Sequence, residues 1–226
     1  MPKPSREYTI NWSHPLAAGL GVAVLHPDRG NLVTTGPQDL AISGRNGGED
    51  ISINRSGTMG ALDAAESSAF ALVEITGYTG SASIVTLPAY YEASNDSFLP
   101  QWQRTPQDTA QLTRYNSDGF DARGGEHAAP NGTVRAYALT MTGGSVRGYW
   151  DGIRKTSGPM SYRADARKGL GVAGHAVMAA RVFLAWSRAL SDAEQASLNA
   201  DPYQIFELPR RGRNNQINHA ILMGAA

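Results

Sequence analysis

The two carboxylates best spaced for acid–base chemistry in this sequence are Asp192 and Glu194. On a strand, a spacing of two would put both on one face, as a nucleophile and proton-donor pair requires. Here Ser191 precedes them, and Ser191 with Glu194 three residues later reads as a helix capping box, so both acids serve a helix start. Gly169-Leu-Gly-Val-Ala-Gly174 has the glycine spacing of a dinucleotide loop. That loop needs a strand before it and a helix after it. Arg167 and Lys168 precede this one and a β-type run follows, which favours a turn or bulge between strands. His14, His26, His127, His175 and His219 show no metal-ligand spacing. Asp118, Asp121 and Asp151 offer loop oxygens, but no dense acidic loop of the calcium-binding kind surrounds them. The expectation is no catalytic residue, no metal and no cofactor.

Aromatic side chains offer a different chemistry. Tyr90, Tyr91 and Trp102 lie in an irregular, polar stretch, and a loop aromatic can stack on the C–H face of a sugar ring. They are the candidate ligand-binding residues, against the alternative of a small core under a long loop. Arg210, Arg211 and Arg213 form a basic tail segment on a chain of zero formal net charge, which suits solvation or partner docking better than nucleic-acid binding. Asn11, Asn54, Asn95 and Asn131 fit the glycosylation pattern, which matters only for a secreted chain.

The elements that must position these residues are strands. The 226 residues include 25 Gly and 12 Pro with only 18% charged residues, a composition suited to short strands and many turns. The clearest segments are Ala69-Phe-Ala-Leu-Val-Glu-Ile-Thr76 and Ser81-Ala-Ser-Ile-Val-Thr-Leu87, which read as a hairpin across residues 77–80. A meander follows at 133–155. Val134, Ala136, Ala138 and Thr140 share one face, Arg135, Tyr137, Leu139 and Met141 share the other, and Asp151-Gly152 marks a two-residue turn. Residues 176–186 read as the last long strand, residues 16–25 as a buried one, and residues 191–199 as the one helix. The chain divides into an N-terminal arm (1–15), a β-sandwich body (16–207) and a C-terminal tail (208–226). Cysteine is absent, so disulfides and thiolate chemistry are excluded. No signal-peptide segment opens the sequence and no apolar run approaches the roughly 20 residues that span a bilayer, so synthesis in a host cytoplasm and no membrane contact are expected.

Three motifs carry a resemblance. Tyr149-Trp-Asp-Gly-Ile153 is one. Arg181-Val-Phe-Leu-Ala-Trp186 followed by Ser187-Arg-Ala-Leu-Ser-Asp-Ala-Glu194 is the second. Asn11-Trp-Ser-His-Pro-Leu-Ala-Ala-Gly-Leu20, with Asp201-Pro-Tyr203 near the end, is the third. Together they resemble the concanavalin A-like lectin/glucanase superfamily, in the laminin-G-like branch encoded by phages and prophages. The resemblance covers about residues 10–207 in order and is loosest in the middle. It implies an all-β, two-sheet antiparallel jelly roll with one short C-terminal helix. Hydrolases of that superfamily commonly use Glu-x-Asp-x-x-Glu along one strand, and Glu-x-Asp occurs nowhere in this sequence. The expected function is therefore a non-enzymatic, virion-associated structural or binding module of a bacteriophage, decorating capsid or tail. Its expected partners are other virion subunits, further copies of itself and host glycans, with no nucleic acid. The alternatives are a free carbohydrate-binding lectin-like protein and a polysaccharide-active enzyme with an unrecognised site.

Overall fold

The computed structural model describes residues 8–25, 31–35, 40–45, 48–53, 65–75, 82–86, 101–104, 109–116, 119–159, 171–172 and 178–207. In chain order they form β1 (Thr9–Ile10), a 3-10 turn (Pro15–Ala17), β2 (Leu20–Leu25), β3 (Leu40–Arg45), β4 (Gly48–Ile53) and β5 (Glu66–Ile75). Then come β6 (Ala82–Thr86), β7 (Gln101–Arg104), β8 (Thr109–Asn116), β9 (Gly119–Ala128), β10 (Val134–Thr142), β11 (Ser145–Trp150) and β12 (Ile153–Pro159). The last are β13 (Gly171–Val172), β14 (Met178–Trp186), α1 (Asp192–Ala200) and β15 (Phe206–Glu207). The protein is an all-β sandwich, as its composition implies, with one α-helix among the described residues.

The central sheet runs β12-β11-β10-β5-β14-β2, with every pair antiparallel. From β14 the hydrogen-bonded path continues through β4 and β13 into β6-β7-β8-β9 and folds back. Strands β6 and β7 then lie against β5 and β10, and β9 lies against β12. The two sheets are joined on the β4–β13 side and open on the β9–β12 side.

The central sheet is covered on both faces. On one, Tyr137, Leu139, Met141, Val146 and Phe183 meet Trp102, Ile84, Ala110 and Leu112 of the second sheet. On the other, Phe70, Ala136, Ala138, Tyr149, Val182, Leu184 and Trp186 pack under Leu16, Leu190, Leu198, Ile205 and Phe206. Full burial of a large apolar side chain contributes roughly 1.5–3 kcal/mol. Runs of buried residues in β5, β10 and β14 thus replace the in–out alternation of a one-sided sheet. The two faces of β10 are composed as the alternation predicts, but both are dry.

Two local expectations are corrected. β5 and β6 form no hairpin: both edges of β5 are taken by β10 and β14, while β6 pairs with β7 and β13 in the opposing sheet. The expected strand over 16–25 is shortened, because Pro15 starts a 3-10 turn whose Leu16 N–H is accepted by His14 Nδ1 at 3.2 Å. β9 carries no clear period-two pattern in its sequence, and β7 falls inside the irregular, polar stretch.

Residues 8–15, assigned to the arm, lie on the body. β1 pairs with β15, Ile10 is buried, and Asn11 N–H donates to Ile205 O at 2.8 Å. Trp186 Nε1 donates to Leu16 O at 2.6 Å inside the same layer.

Helix α1 has the capping box the sequence predicts. Ser191 Oγ accepts from Glu194 N–H at 3.2 Å and Glu194 Oε2 accepts from Ser191 N–H at 2.8 Å. Arg188 Nη2 donates to Glu194 Oε1 at 2.7 Å. That contact, with the Ser191 bonds, holds the Glu194 carboxyl down at about 2. The helix is fastened to the sheet by a buried polar chain in which Gln195 Nε2 donates to Thr140 Oγ1 and Ser68 Oγ accepts from Leu190 N–H. Leaving these groups without partners in the dry layer would cost about 1–3 kcal/mol each.

The β11–β12 turn has φ of +50° at Asp151 and +73° at Gly152, the left-handed pair of a type I′ hairpin. A Cβ at Gly152 would stand 2.7 Å from Asn199 Cβ on α1. Gly152→Ala is therefore expected to cost more than about 2 kcal/mol, combining left-handed strain with displacement of the helix. Gly132→Ala, at φ +81° with nothing within 4 Å, is expected to cost about 1 kcal/mol. Equal urea midpoints for the two variants would refute this placement of the turn against α1.

Candidate functional site

Trp102 is where the sequence and the structure part most clearly. Expected on a loop as a sugar-stacking ring, it lies on β7 and is fully buried between the sheets. Its Nε1 donates to Ala138 O on β10 at 3.0 Å. Room for the indole comes from Gly148, where a Cβ would meet Trp102 Cζ2 at 3.1 Å and Leu112 Cδ2 at 3.0 Å. Trp102 is thus a core residue, and solvent-borne sugar has no access to its faces. Tyr90 and Tyr91 lie outside the described residues.

From Trp102 an aromatic column climbs to the open β9–β12 side. His127 of β9 meets Trp102 edge-on at 5.6 Å, and Tyr137 of β10 lies tilted against it at 5.7 Å. His127 stacks on half-buried Trp150 of β11 at 4.2 Å with only 10° between planes. Lys155 Nζ of β12 stands 4.5 Å from the Trp150 ring centre, and the Arg135 guanidinium carbon of β10 stands 5.0 Å from it. Such cation–π contacts contribute about 0.5–2 kcal/mol each and hold both cations in place. Arg135 Nη1 also donates to Asp151 Oδ2, and Asp151 Oδ1 accepts from Ala136 N–H at 3.4 Å.

The protonation of the column follows from its bonds. His127 Nδ1 faces Gly125 O at 3.0 Å, so Nδ1 carries the proton and Nε2 accepts from the Tyr137 hydroxyl at 3.1 Å. Burial lowers the His127 pKa, and the Arg135 and Lys155 charges push the same way. The imidazole is therefore neutral at pH 7, and among the described residues the corner carries two cations against the carboxylate of Asp151.

A second polar cluster lies on the other face. Tyr149 Oη donates to Asp192 Oδ1 at 2.7 Å, with Arg147 and Arg154 at 3.8 and 3.5 Å from the same carboxylate. Burial, then the Asp192 contact, pushes the Tyr149 hydroxyl up to about 12. This cluster ties α1 to the β11–β12 hairpin.

The remaining sequence candidates divide cleanly. Asp192 and Glu194 cap α1 as predicted. Asp151, considered as a calcium oxygen, is occupied by Arg135, and no group of three metal-ligating side chains occurs among the described residues. Residues 171–172 of the glycine motif form β13, a strand. Asp118 and the arginines at 210, 211 and 213 lie outside the described residues. No sequence pattern groups His127, Arg135, Trp150 and Lys155. The available signal was an arginine on the same β10 face as Tyr137 and a tryptophan next to an Asp-Gly turn.

No protein-family model matches the sequence, and no curated protein matches it. The fold is similar to solved structures at low identity. Trypanosoma rangeli sialidase matches at 14% identity with a TM-score of 0.58, over 83% of this chain and 33% of that one. A mutant of that sialidase displaying trans-sialidase activity matches at 13% identity with a TM-score of 0.63, over 88% and 36%. The binding domain of Paraclostridial Mosquitocidal Protein 1 matches at 9% identity with a TM-score of 0.56, over 83% and 53%. The chain spans about a third of the length of the sialidases it matches. These matches correct the expectation that the chain is not an enzyme. Sialidases and a trans-sialidase variant contain this fold, so neither the sandwich nor the missing Glu-x-Asp pattern separates it from enzymes.

Trp102→Ala should lower stability by about 3–5 kcal/mol, the cost of a buried cavity of that size. A urea midpoint unchanged by the substitution would place the indole outside the core. His127 gives a pH signature. Its folded pKa is depressed, so below about 6.5 the unfolded chain takes up a proton that the folded chain refuses. That contribution to stability is present above this value and is lost as pH falls through it. The pH dependence of the denaturation midpoint between about 7.5 and 5.5 should be shallower in His127→Phe than in the parent, and identical slopes would contradict a buried neutral imidazole.

Proposed function

We propose that this chain is a glycan-binding sandwich module of the concanavalin A-like, laminin-G-like type, carried on a bacteriophage particle and using the β9–β12 corner to contact sugar. The corner itself carries this reading. Trp150, Arg135 and Lys155 are part-exposed and are held by His127 and the buried column beneath them, so a polar ligand meets preset groups. Trypanosoma rangeli sialidase, to which this fold is similar, has been solved in complex with sialic acid.

Placement on a virion rests on the opening phrase and its partners. Residues 11–20, the late strand and the closing motif form one packed unit through Asn11 N–H to Ile205 O and Trp186 Nε1 to Leu16 O. Trp12, within the opening phrase, is 59% exposed and available to a neighbouring subunit or a second copy of the chain.

Two measurements test the proposal together. Mass spectrometry of purified particles should find the chain in fixed stoichiometry with the capsid or tail subunits. A glycan array probed with the purified chain should show selective retention, and released sugar in the wash would reveal turnover. Absence from particles removes the virion assignment, and a blank array removes the glycan assignment.

A further inference from the structure

Resting on the glycan reading of this corner, we propose that its ligand is an acidic sugar, whose carboxylate or sulfate is seated between Lys155 and Arg135 at the edge of Trp150. The charge balance comes first. Arg135 and Lys155 bring two positive charges, Asp151 brings one negative charge, and His127 is neutral. Lys155 forms no ion pair among the described residues. Among the described residues the corner therefore carries one cation more than it has carboxylates, on a chain whose formal net charge is zero.

Donor geometry comes second. Asp151 engages Nη1 of Arg135, and Nε of the same guanidinium is buried with no hydrogen-bond partner among the described residues. A guanidinium held beside an ammonium matches the oxygens of a carboxylate or sulfate, because charge-assisted bonds there outweigh neutral ones.

Ring occupancy comes third. His127 covers one face of Trp150 at 4.2 Å, and the two cations stand within 5.0 Å of the ring centre. With its π surface occupied, Trp150 acts as a support for cations rather than as a platform for a neutral pyranose. Recognition is thus directed to the charged group of the sugar.

Calorimetric titration of the full chain with 3′-sialyllactose and with lactose tests this, with glucuronate-bearing and sulfated oligosaccharides as further arms that separate carboxylate from sulfate. The acidic form should bind about tenfold tighter or more than its neutral counterpart, the increment of a charge-assisted contact. Its affinity should fall as salt rises. Lys155→Gln, on an exposed side chain, should weaken the acidic ligand by about three- to tenfold while leaving the thermal midpoint within about 4 °C. Arg135→Lys keeps the charge but loses the fork, and should weaken carboxylate binding more than sulfate binding. Lactose bound as tightly as 3′-sialyllactose, or affinity indifferent to Lys155→Gln, overturns the acidic-sugar assignment while leaving glycan binding intact. Failure of every sugar to bind overturns the glycan reading itself.

Discussion

The bond from Trp102 Nε1 to Ala138 O is the contact on which the rest of this sandwich turns. An indole between two sheets fills the largest space any side chain can fill, and its single N–H must find an acceptor there. The β10 carbonyl supplies it at 3.0 Å, which sets how closely the second sheet approaches the first. Gly148 makes the approach feasible, since any side chain at that position would meet Trp102, Leu112 and Thr156. The same indole carries the edge of His127, so the spacing of the sheets also sets the height of the column that ends at Trp150.

The opposite face of the central sheet is closed by material from both ends of the described chain. Strands β1 and β15, the 3-10 turn and α1 form a third layer over Phe70, Tyr149, Leu184 and Trp186. Two polar devices hold that layer at a fixed position. Ser68, Thr140 and Gln195 form a hydrogen-bonded chain in a dry interface, and Tyr149 Oη reaches Asp192 at the start of the helix. Apolar packing is non-directional, whereas buried hydrogen bonds are lost if the helix slides by one turn. Because Gly152 touches Asn199 and Ala196, α1 also braces the hairpin that presents Trp150 and Asp151. The helix therefore supports the corner without contributing a side chain to it.

At that corner, core and surface are continuous. Trp102 is dry, His127 is neutral and half-buried, Trp150 is part-exposed, and Lys155 reaches solvent. Each layer restricts the one above it, so the outermost charges need little ordering when a ligand arrives. A fold that also occurs in sialidases and in a toxin's binding domain supplies no specificity by itself; the side chains at its rim do.

Several features were legible in the sequence because their signals are local. Ser191 and Glu194 announce a helix start through bonds within one turn, and Asp151-Gly152 announces a type I′ hairpin because few residues tolerate two left-handed positions. Composition and turn density indicated an all-β chain. The faces of β10 followed from a period of two. What lay beyond the sequence was decided by which sheets meet. Nothing near Trp102 in the chain distinguishes a loop aromatic from a core indole; that depended on Ala138, 36 residues away. Strands β5 and β6 read as a hairpin because they are neighbours in sequence, yet the edges of β5 were filled by β10 and β14. His127, Arg135, Trp150 and Lys155 come from four strands, and their convergence exists only once the two sheets are stacked. Local propensity acts over a few residues, while burial and charge environment depend on contacts between distant segments, so tertiary packing alone could assemble this site.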